Sequence, residues 1–397
     1  MKSIFVFINK DGFDLPLGTI YIDNIRGKES YSFEFDEQAI KNKYAKLLID
    51  VDIAPVSGRQ YKADTSIPYH FMSDSSPDRW GRNLLLKANS GKRMSESDYL
   101  LLVNDVSRMG ALRYKISKEG KFLSEGNEIP PYRFLRELEE AAYSFDLFSK
   151  EEEWKPLLDP GSSLGGARPK ASIYGNKGEL YLAKFSNKKD EMNLPQLEYF
   201  AYLLATKVGV SMMPSKLLNL DNRHSVFLTE RFDRMGNKRI HYASFMTLLG
   251  ANEEDSSSYS YIDVAETISK LGYSPIEDLK QMFLRIALGI LIHNYDDHLR
   301  NHAMIHTDDG WRLSPAFDIN ISFDKSNPTL PPCEKGFGID ALISSSPFFG
   351  LSQKEGEDIV SRMRSIIKEN MHSLGIKASL SESTIESIGR LLSEVFA

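Results

Sequence analysis

A chain of 397 residues, 41% hydrophobic and 26% charged, has an ordinary globular composition and is too long for one core, so two or three compact units of roughly 150 residues are expected. Its formal charge of −6, from 49 Lys plus Arg against 55 Asp plus Glu, argues against a strong autonomous grip on nucleic acid; a lone cysteine, Cys333, excludes an internal disulfide framework and fits a reducing compartment. No apolar run approaches the roughly 18 residues of a membrane span, and the opening MKSIFVFINKDGFDLP reads as a first strand rather than a signal peptide, so a cytoplasmic protein with no membrane partner is expected.

Residues 1 to 60 alternate short apolar segments with turns. Ile4 to Ile8 and Leu17 to Ile22 read as strands, and Tyr31, Phe33 and Phe35 fall on one face at period two, which predicts a small β-rich opening unit. Residues 77 to 104 read as helical, with Trp80, Leu84 and Leu85 at helical spacing and a second segment at Tyr99 to Val103. Turn residues between 123 and 163, among them Pro130-Pro131 and Asp159-Pro160-Gly161, mark a boundary, with a short charged helix from Phe134 to Ala142 inside it.

Downstream, Lys170 to Tyr174 and Glu179 to Phe185 flank Gly175-Asn176-Lys177-Gly178 and predict a β-hairpin. Asn193, with Gln196 three residues on, caps a helix whose stripe is Leu197, Phe200, Ala201, Leu204 and Val208, and Gly209 ends it. Val226 to Leu228 is an apolar strand running into Glu230-Arg231-Phe232-Asp233-Arg234. The densest apolar helix signal, 279 to 293, delivers the chain to His293-Asn294-Tyr295-Asp296-Asp297-His298-Leu299-Arg300-Asn301. A second hairpin, Met304-Ile305 and Trp311 to Leu313 through Asp309-Gly310, leads to Asp318, and residues 353 to 395 are mostly helical.

Transfer of a phosphoryl group from ATP needs an Asp to orient or deprotonate a hydroxyl, and an Asn and a second Asp to hold Mg²⁺ on the phosphates. Asp296, Asn301 and Asp318 occur in that order, with the five-residue step from Asp to Asn of a kinase catalytic loop. The loop Ser162-Ser163-Leu164-Gly165-Gly166-Ala167-Arg168-Pro169-Lys170 pairs glycines that admit phosphate with nearby cations, although such a turn is also an ordinary loop. It lacks the Gly-Lys-Ser/Thr ending of a Walker A loop, which disfavours a P-loop NTPase. Lys184 shares a strand face with Leu180 and Leu182, either as a snorkelling edge residue or as a cation with a designated anion. Glu198, on the following helix, is its candidate partner by order in the chain, and Phe232 with Glu230 is a candidate adenine wall and polar contact, although such a segment is more often an ordinary strand end. Four histidines, His293, His298, His302 and His306, raise a zinc reading, but no His-Glu-x-x-His is present. His298 is instead expected to brace the catalytic loop by hydrogen bonding.

These residues resemble the HipA family of serine/threonine kinase toxins from bacterial type II toxin-antitoxin systems. The resemblance runs through Ser-Pro-Asp-Arg-Trp-Gly-Arg at 76 to 82, Ser107-Arg-Met-Gly-Ala-Leu112, Ser163-Leu-Gly-Gly-Ala-Arg-Pro-Lys170, Glu230-Arg-Phe-Asp-Arg234, Asp296-Asp-His-Leu-Arg-Asn301 and Pro315-Ala-Phe-Asp318. It implies an α+β, protein-kinase-like two-lobed core with an N-terminal β-rich subdomain (1–120), an N-lobe carrying the glycine loop (121–235) and a mostly helical C-terminal lobe (236–397). It further implies that ATP lies against Ser163, Leu164, Gly165, Gly166, Ala167, Lys170, Lys184, Glu198, Glu230, Phe232 and Asp318. Asp296, Asn301 and His298 would be the catalytic set, with Asn301 and Asp318 on Mg²⁺. Ser163 matches the autophosphorylated position of family members, with Ser162 as a substitute. Arg168-Pro169 and Asp297 stand where other members carry other residues, Gly in place of Asp297.

The implied partners are a separate HipB-like DNA-binding antitoxin, which supplies most of any contact with DNA, and a protein substrate such as an aminoacyl-tRNA synthetase. Two other functions compete with the kinase toxin. One is a catalytically weak ATP-binding corepressor that holds an antitoxin on its operator; the other is a small-molecule or lipid kinase on the same scaffold.

Overall fold

The computed structural model describes residues 2–123, 129–145, 151–161, 168–221, 224–252, 258–323, 331 and 337–396. Packing, which ignores chain order, divides the protein into two compact units of two segments each: Met1–Asp190 with Glu230–Ala243, and Glu191–Thr229 with Ser244–Ala397. The three-way division that the resemblance implies, 1–120, 121–235 and 236–397, remains a separate proposal.

In the first unit, β1 (Lys2–Lys10), β2 (Phe13–Ile25) and β3 (Lys28–Phe35) form an antiparallel meander. With β4 (Gln60–Tyr61) and β5 (Leu112–Lys115) it makes a five-stranded sheet of order β4-β3-β2-β1-β5. Both tight turns of the meander, Asp11-Gly12 and Arg26-Gly27, place both central residues at positive φ, the twist that suits a two-residue hairpin. Period-two alternation then buries Ile4, Val6 and Ile8 beside Tyr31, Phe33 and Phe35, each withdrawal from water contributing roughly 1.5–3 kcal/mol.

Two helices follow, Arg79–Ala88 and Glu96–Leu102. Asp78 caps the first by accepting the Trp80 N–H at 3.2 Å, and Ser95 forms a capping box with Asp98 on the second. Trp80, Leu84 and Leu85 are buried as their spacing requires. The helix Leu135–Tyr143 precedes the hairpin of β6 (Lys170–Tyr174) and β7 (Leu180–Phe185).

The second unit is mostly helical around two hairpins. Asn193 accepts the Gln196 N–H at 3.2 Å and starts the helix Leu194–Lys207. The hairpin of β8 (Ser215–Asn219) and β9 (Ser225–Glu230) comes next. The helix Pro275–Leu291 is buried along most of its length and leads into the loop around Asp296. The hairpin of β10 (Ala303–Thr307) and β11 (Gly310–Leu313) follows. The helices Gln353–Lys377 and Glu382–Phe396 pack on each other, and the former also packs on Leu194–Lys207. Among the described residues no helix is long and apolar enough to cross a membrane.

Candidate active site

The helix Pro275–Leu291 stops because His293 takes φ +58° and the Asn294 N–H reaches back to the Gly289 carbonyl at 2.8 Å, the geometry of a left-handed C-terminal cap. The chain emerging from this cap separates two neighbouring acids. Asp296 is exposed at the loop surface, while Asp297 is only 5% exposed. Asp297 lies 2.9 Å from His302 Nε2 and accepts the Tyr261 hydroxyl. Burial pushes its carboxyl up, but His302, Tyr261 and His298 outweigh that cost and hold it below the usual carboxylate range. Burial, reinforced by the Asp297 charge, pushes the Tyr261 phenol well above its ordinary value, so Tyr261 is the donor of the pair.

The bracing of this loop expected from His298 falls instead to Asp297. His298 keeps Nδ1 buried without a hydrogen-bond partner among the described residues, and it acts on Asp297 through charge. His302 serves Asp297 and His306 packs edge-on against Trp311.

Asn301 Nδ2 donates to the Asp296 carbonyl at 2.8 Å. With the N–H group spent there, the acceptor Oδ1 is the end available to a cation. Asp318 also takes a left-handed φ, +58°, which a short acidic side chain tolerates better than most. Its loop is laced to the root of the Asp296 loop. The Ser322 N–H donates to the His293 carbonyl at 3.0 Å and the Asn320 N–H to Asn294 Oδ1 at 3.4 Å. Asn320 Nδ2 also reaches the Asp318 carbonyl and Oδ1, at 3.3 and 3.4 Å. Asp296, Asn301 and Asp318 therefore belong to one hydrogen-bonded loop system. Its offered donors are oxygens, the chemistry that suits Mg²⁺.

In the first unit, Lys170 and Lys184 are direct cross-strand partners of the β6-β7 hairpin. Their side chains share a face, and Lys170 is 3% exposed while Lys184 is half-buried. Like charges directly opposite on a sheet repel. Trp80 Nε1 donates to the Lys170 carbonyl at 3.0 Å and fixes the strand start.

The segment after β9 alternates strictly: Arg231 and Asp233 are buried, whereas Glu230 and Phe232 are half-buried on the opposite side. Arg231 donates to the Ser107 carbonyl at 2.6 Å and to both carboxylate oxygens of Asp233, at 2.8 and 2.7 Å. Asp233 also accepts the Gly110 N–H at 2.7 Å, and Arg234 donates to the Arg108 carbonyl at 2.7 Å. Burial pushes the Asp233 carboxyl up, yet Arg231 and Arg234 hold it well below the usual range. Gly110 has φ +75°, and a Cβ there would meet the Tyr242 Cβ at 3.3 Å, so position 110 does not easily tolerate a larger residue. The clamp presents Glu230 and Phe232, with the Phe232 ring 6.0 Å from that of Tyr242.

Glu198 is buried on the helix Leu194–Lys207 of the second unit, whereas Lys184 belongs to the first. Ser162, Ser163, Leu164, Gly165, Gly166 and Ala167 lie outside the described residues.

Residues 162–371, more than half of the chain, match the family model described as the HipA-like C-terminal domain. The chain belongs to the HipA family. Over 98% of its length it matches a chain from the Shewanella oneidensis toxin-antitoxin complex of HipA, HipB and operator DNA. The match covers 95% of that chain at a TM-score of 0.68 with 14% sequence identity. The α+β, kinase-like fold of HipA is thus the fold of this chain, although few residues are shared. The Sinorhizobium fredii protein Y4dM, whose name proposes it as a kinase, is 23% identical over 297 residues, 69% of this chain and 64% of the relative. The chain therefore spans less than two thirds of that relative's length.

The residues that sequence reasoning missed are Tyr261 and Asp297 in its buried role. The one local hint was the Asp296-Asp297 pair itself, since two adjacent acids following an apolar helix seldom face the same way.

Proposed function

We propose that this HipA-family protein is an ATP- and Mg²⁺-dependent serine/threonine protein kinase, the toxin of a toxin-antitoxin pair. The observation that carries the reading is the lacing of the Asp296-Asn301 loop to the Asp318 loop through His293 and Asn294. Positioning is most of what phosphoryl transfer asks of a protein, and this lattice of bonds supplies it.

Asp296, exposed and free of the Asp297 brace, orients the acceptor hydroxyl and takes its proton. As that oxygen bonds to the γ-phosphorus, the bond to the bridging oxygen breaks and ADP leaves. Asn301 and Asp318 would hold Mg²⁺, which would supply charge neutralisation on the phosphates. Lys184 and the buried Lys170 draw the phosphates to the β6-β7 hairpin, with Glu198 as the candidate partner of Lys184. Glu230 and Phe232, presented by the Arg231-Asp233 clamp, receive adenine. Ser163, or Ser162, is the proposed autophosphorylation site; a doubly charged phosphate there would pair with nearby cations and hold the glycine loop away from ATP.

The solved relative from Shewanella oneidensis is described in a complex of HipA, HipB and operator DNA. By analogy we assign this chain a separate HipB-like antitoxin, DNA contact mainly through that partner, and a protein substrate that an aminoacyl-tRNA synthetase exemplifies.

Incubation with labelled ATP and Mg²⁺, with mass spectrometry of the Ser163 peptide, tests the reading. Labelling of wild type and none of Asp296→Asn is the expected result. A wild type that binds ATP, carries no phosphate on Ser162 or Ser163, and transfers none would overturn it in favour of the ATP-binding corepressor.

A further inference from the structure

Arg285, in the helix Pro275–Leu291, is only 4% exposed, and one hydrogen bond engages its guanidinium, from Nη2 to the Ser314 carbonyl. Nε and Nη1 are buried without a hydrogen-bond partner among the described residues. Burying a cation and leaving its N–H groups unpaired is costly, and a guanidinium kept in such a place points to a task.

The surroundings indicate which task. Arg285 lines a pocket with Asn294, Asp297, Asn301, His302 and Phe317, so the walls come from the two loops that carry the candidate metal donors. Asn301 is one of those donors, and Phe317 directly precedes the other, Asp318. The Ser314 carbonyl that Arg285 grips opens the stem of the Asp318 loop, and the Ser314 N–H is pinned to Ala303 at 2.9 Å. Burial pushes the guanidinium down to about 9, with Asp278 and Asp297 opposing the shift, so it remains charged at neutral pH.

We propose that Arg285 is a positioning residue for the metal site: it clamps the stem of the Asp318 loop through the Ser314 carbonyl and shares with Asn301 and Asp297 the pocket between the two loops. It touches neither substrate nor the reacting atoms. The inference rests on the kinase reading, in which Asn301 and Asp318 hold Mg²⁺. An arginine suits the position because its fork reaches the carbonyl with one nitrogen and the pocket with the others; a lysine supplies the charge and only one of these contacts.

The test measures binding of a fluorescent ATP analogue to wild type, Arg285→Lys and Arg285→Met as Mg²⁺ is titrated, with thermal unfolding of each. Affinity for the analogue in EDTA should be unchanged. Half-saturation by Mg²⁺ should rise about tenfold or more in Arg285→Met, as when a supporting partner of a metal ligand is lost, and less in Arg285→Lys. A folded Arg285→Met with wild-type Mg²⁺ dependence overturns the inference; should Met fail to fold, an unchanged Arg285→Lys does so. A wild type whose nucleotide binding ignores Mg²⁺ overturns the kinase reading and this inference with it, so the two failures are told apart by wild type alone.

Discussion

Asn301 donates its side-chain N–H to the backbone carbonyl of Asp296 at 2.8 Å, which ties a candidate metal donor to the candidate base and leaves its Oδ1 as the end available to a cation. Asn301→Ala should therefore lose loop order and a metal oxygen together, lowering phosphoryl transfer roughly 100-fold or more. Asn301→Asp keeps an oxygen donor but sets a carboxylate against the Asp296 carbonyl. It should retain Mg²⁺-dependent nucleotide binding while single-turnover transfer falls. Equal loss of binding and rate in both variants would sink the distinction.

The facing lysines of the β6-β7 hairpin give a prediction of opposite signs in two assays. Lys170→Met and Lys184→Met should each weaken ATP binding by about tenfold, as expected on removing one charged hydrogen bond. In the absence of nucleotide, removal of a directly opposed like charge should leave thermal stability unchanged or raised by up to about 1 kcal/mol. Calorimetric titration beside a melting curve reads both; a variant that melts far below wild type shows that the lysine has a structural duty instead.

Asp233 predicts a pH-dependent stability. Its carboxyl is held well below the usual range by Arg231 and Arg234 in spite of burial. A depressed carboxylate contributes stability that is fully present above the unfolded value of about 4 and is lost as pH falls through the folded value. Asp233→Asn should cost about 3–5 kcal/mol near neutrality, the range for breaking one side of a buried pair. The gap between wild type and variant, measured by urea unfolding, should hold steady above about pH 5 and narrow below about pH 4. A gap that widens in acid contradicts the assignment.

Tyr261→Phe deletes one of the two close partners of Asp297. The change should cost about 1–2 kcal/mol, move the Asp297 carboxyl upward and slow transfer without altering nucleotide affinity in EDTA. Paired with His302→Gln in a double-mutant cycle, it should show coupling of about 0.5–3 kcal/mol, since both act on one carboxylate. Strict additivity would mean that the two residues do not share Asp297.

Most local structure was legible before folding was considered. The alternation of Tyr31, Phe33 and Phe35, the Asn193 cap and both hairpins of the kinase-like core stand where period and turn chemistry put them, because each depends on neighbours within a few residues. The roles around the catalytic loop were not legible in the same way. Asp296 and Asp297 are chemically identical in the sequence, and only packing decides that one is exposed while the other sinks against Tyr261 and His302.

The sequence alone determined the order of chemical groups, Lys170 and Lys184 ahead of Glu230 and Phe232, then Asp296, Asn301 and Asp318, and the local elements that carry them. Tertiary structure decided which groups are spent on support: Asp297 on Tyr261 at 36 residues' separation, Asp233 on Gly110 at 123, Arg285 on Ser314 at 29. The reason is physical. Periodicity is set by the backbone within a few residues, whereas the desolvation that turns an acid or an arginine into a brace exists only after distant segments have closed over it.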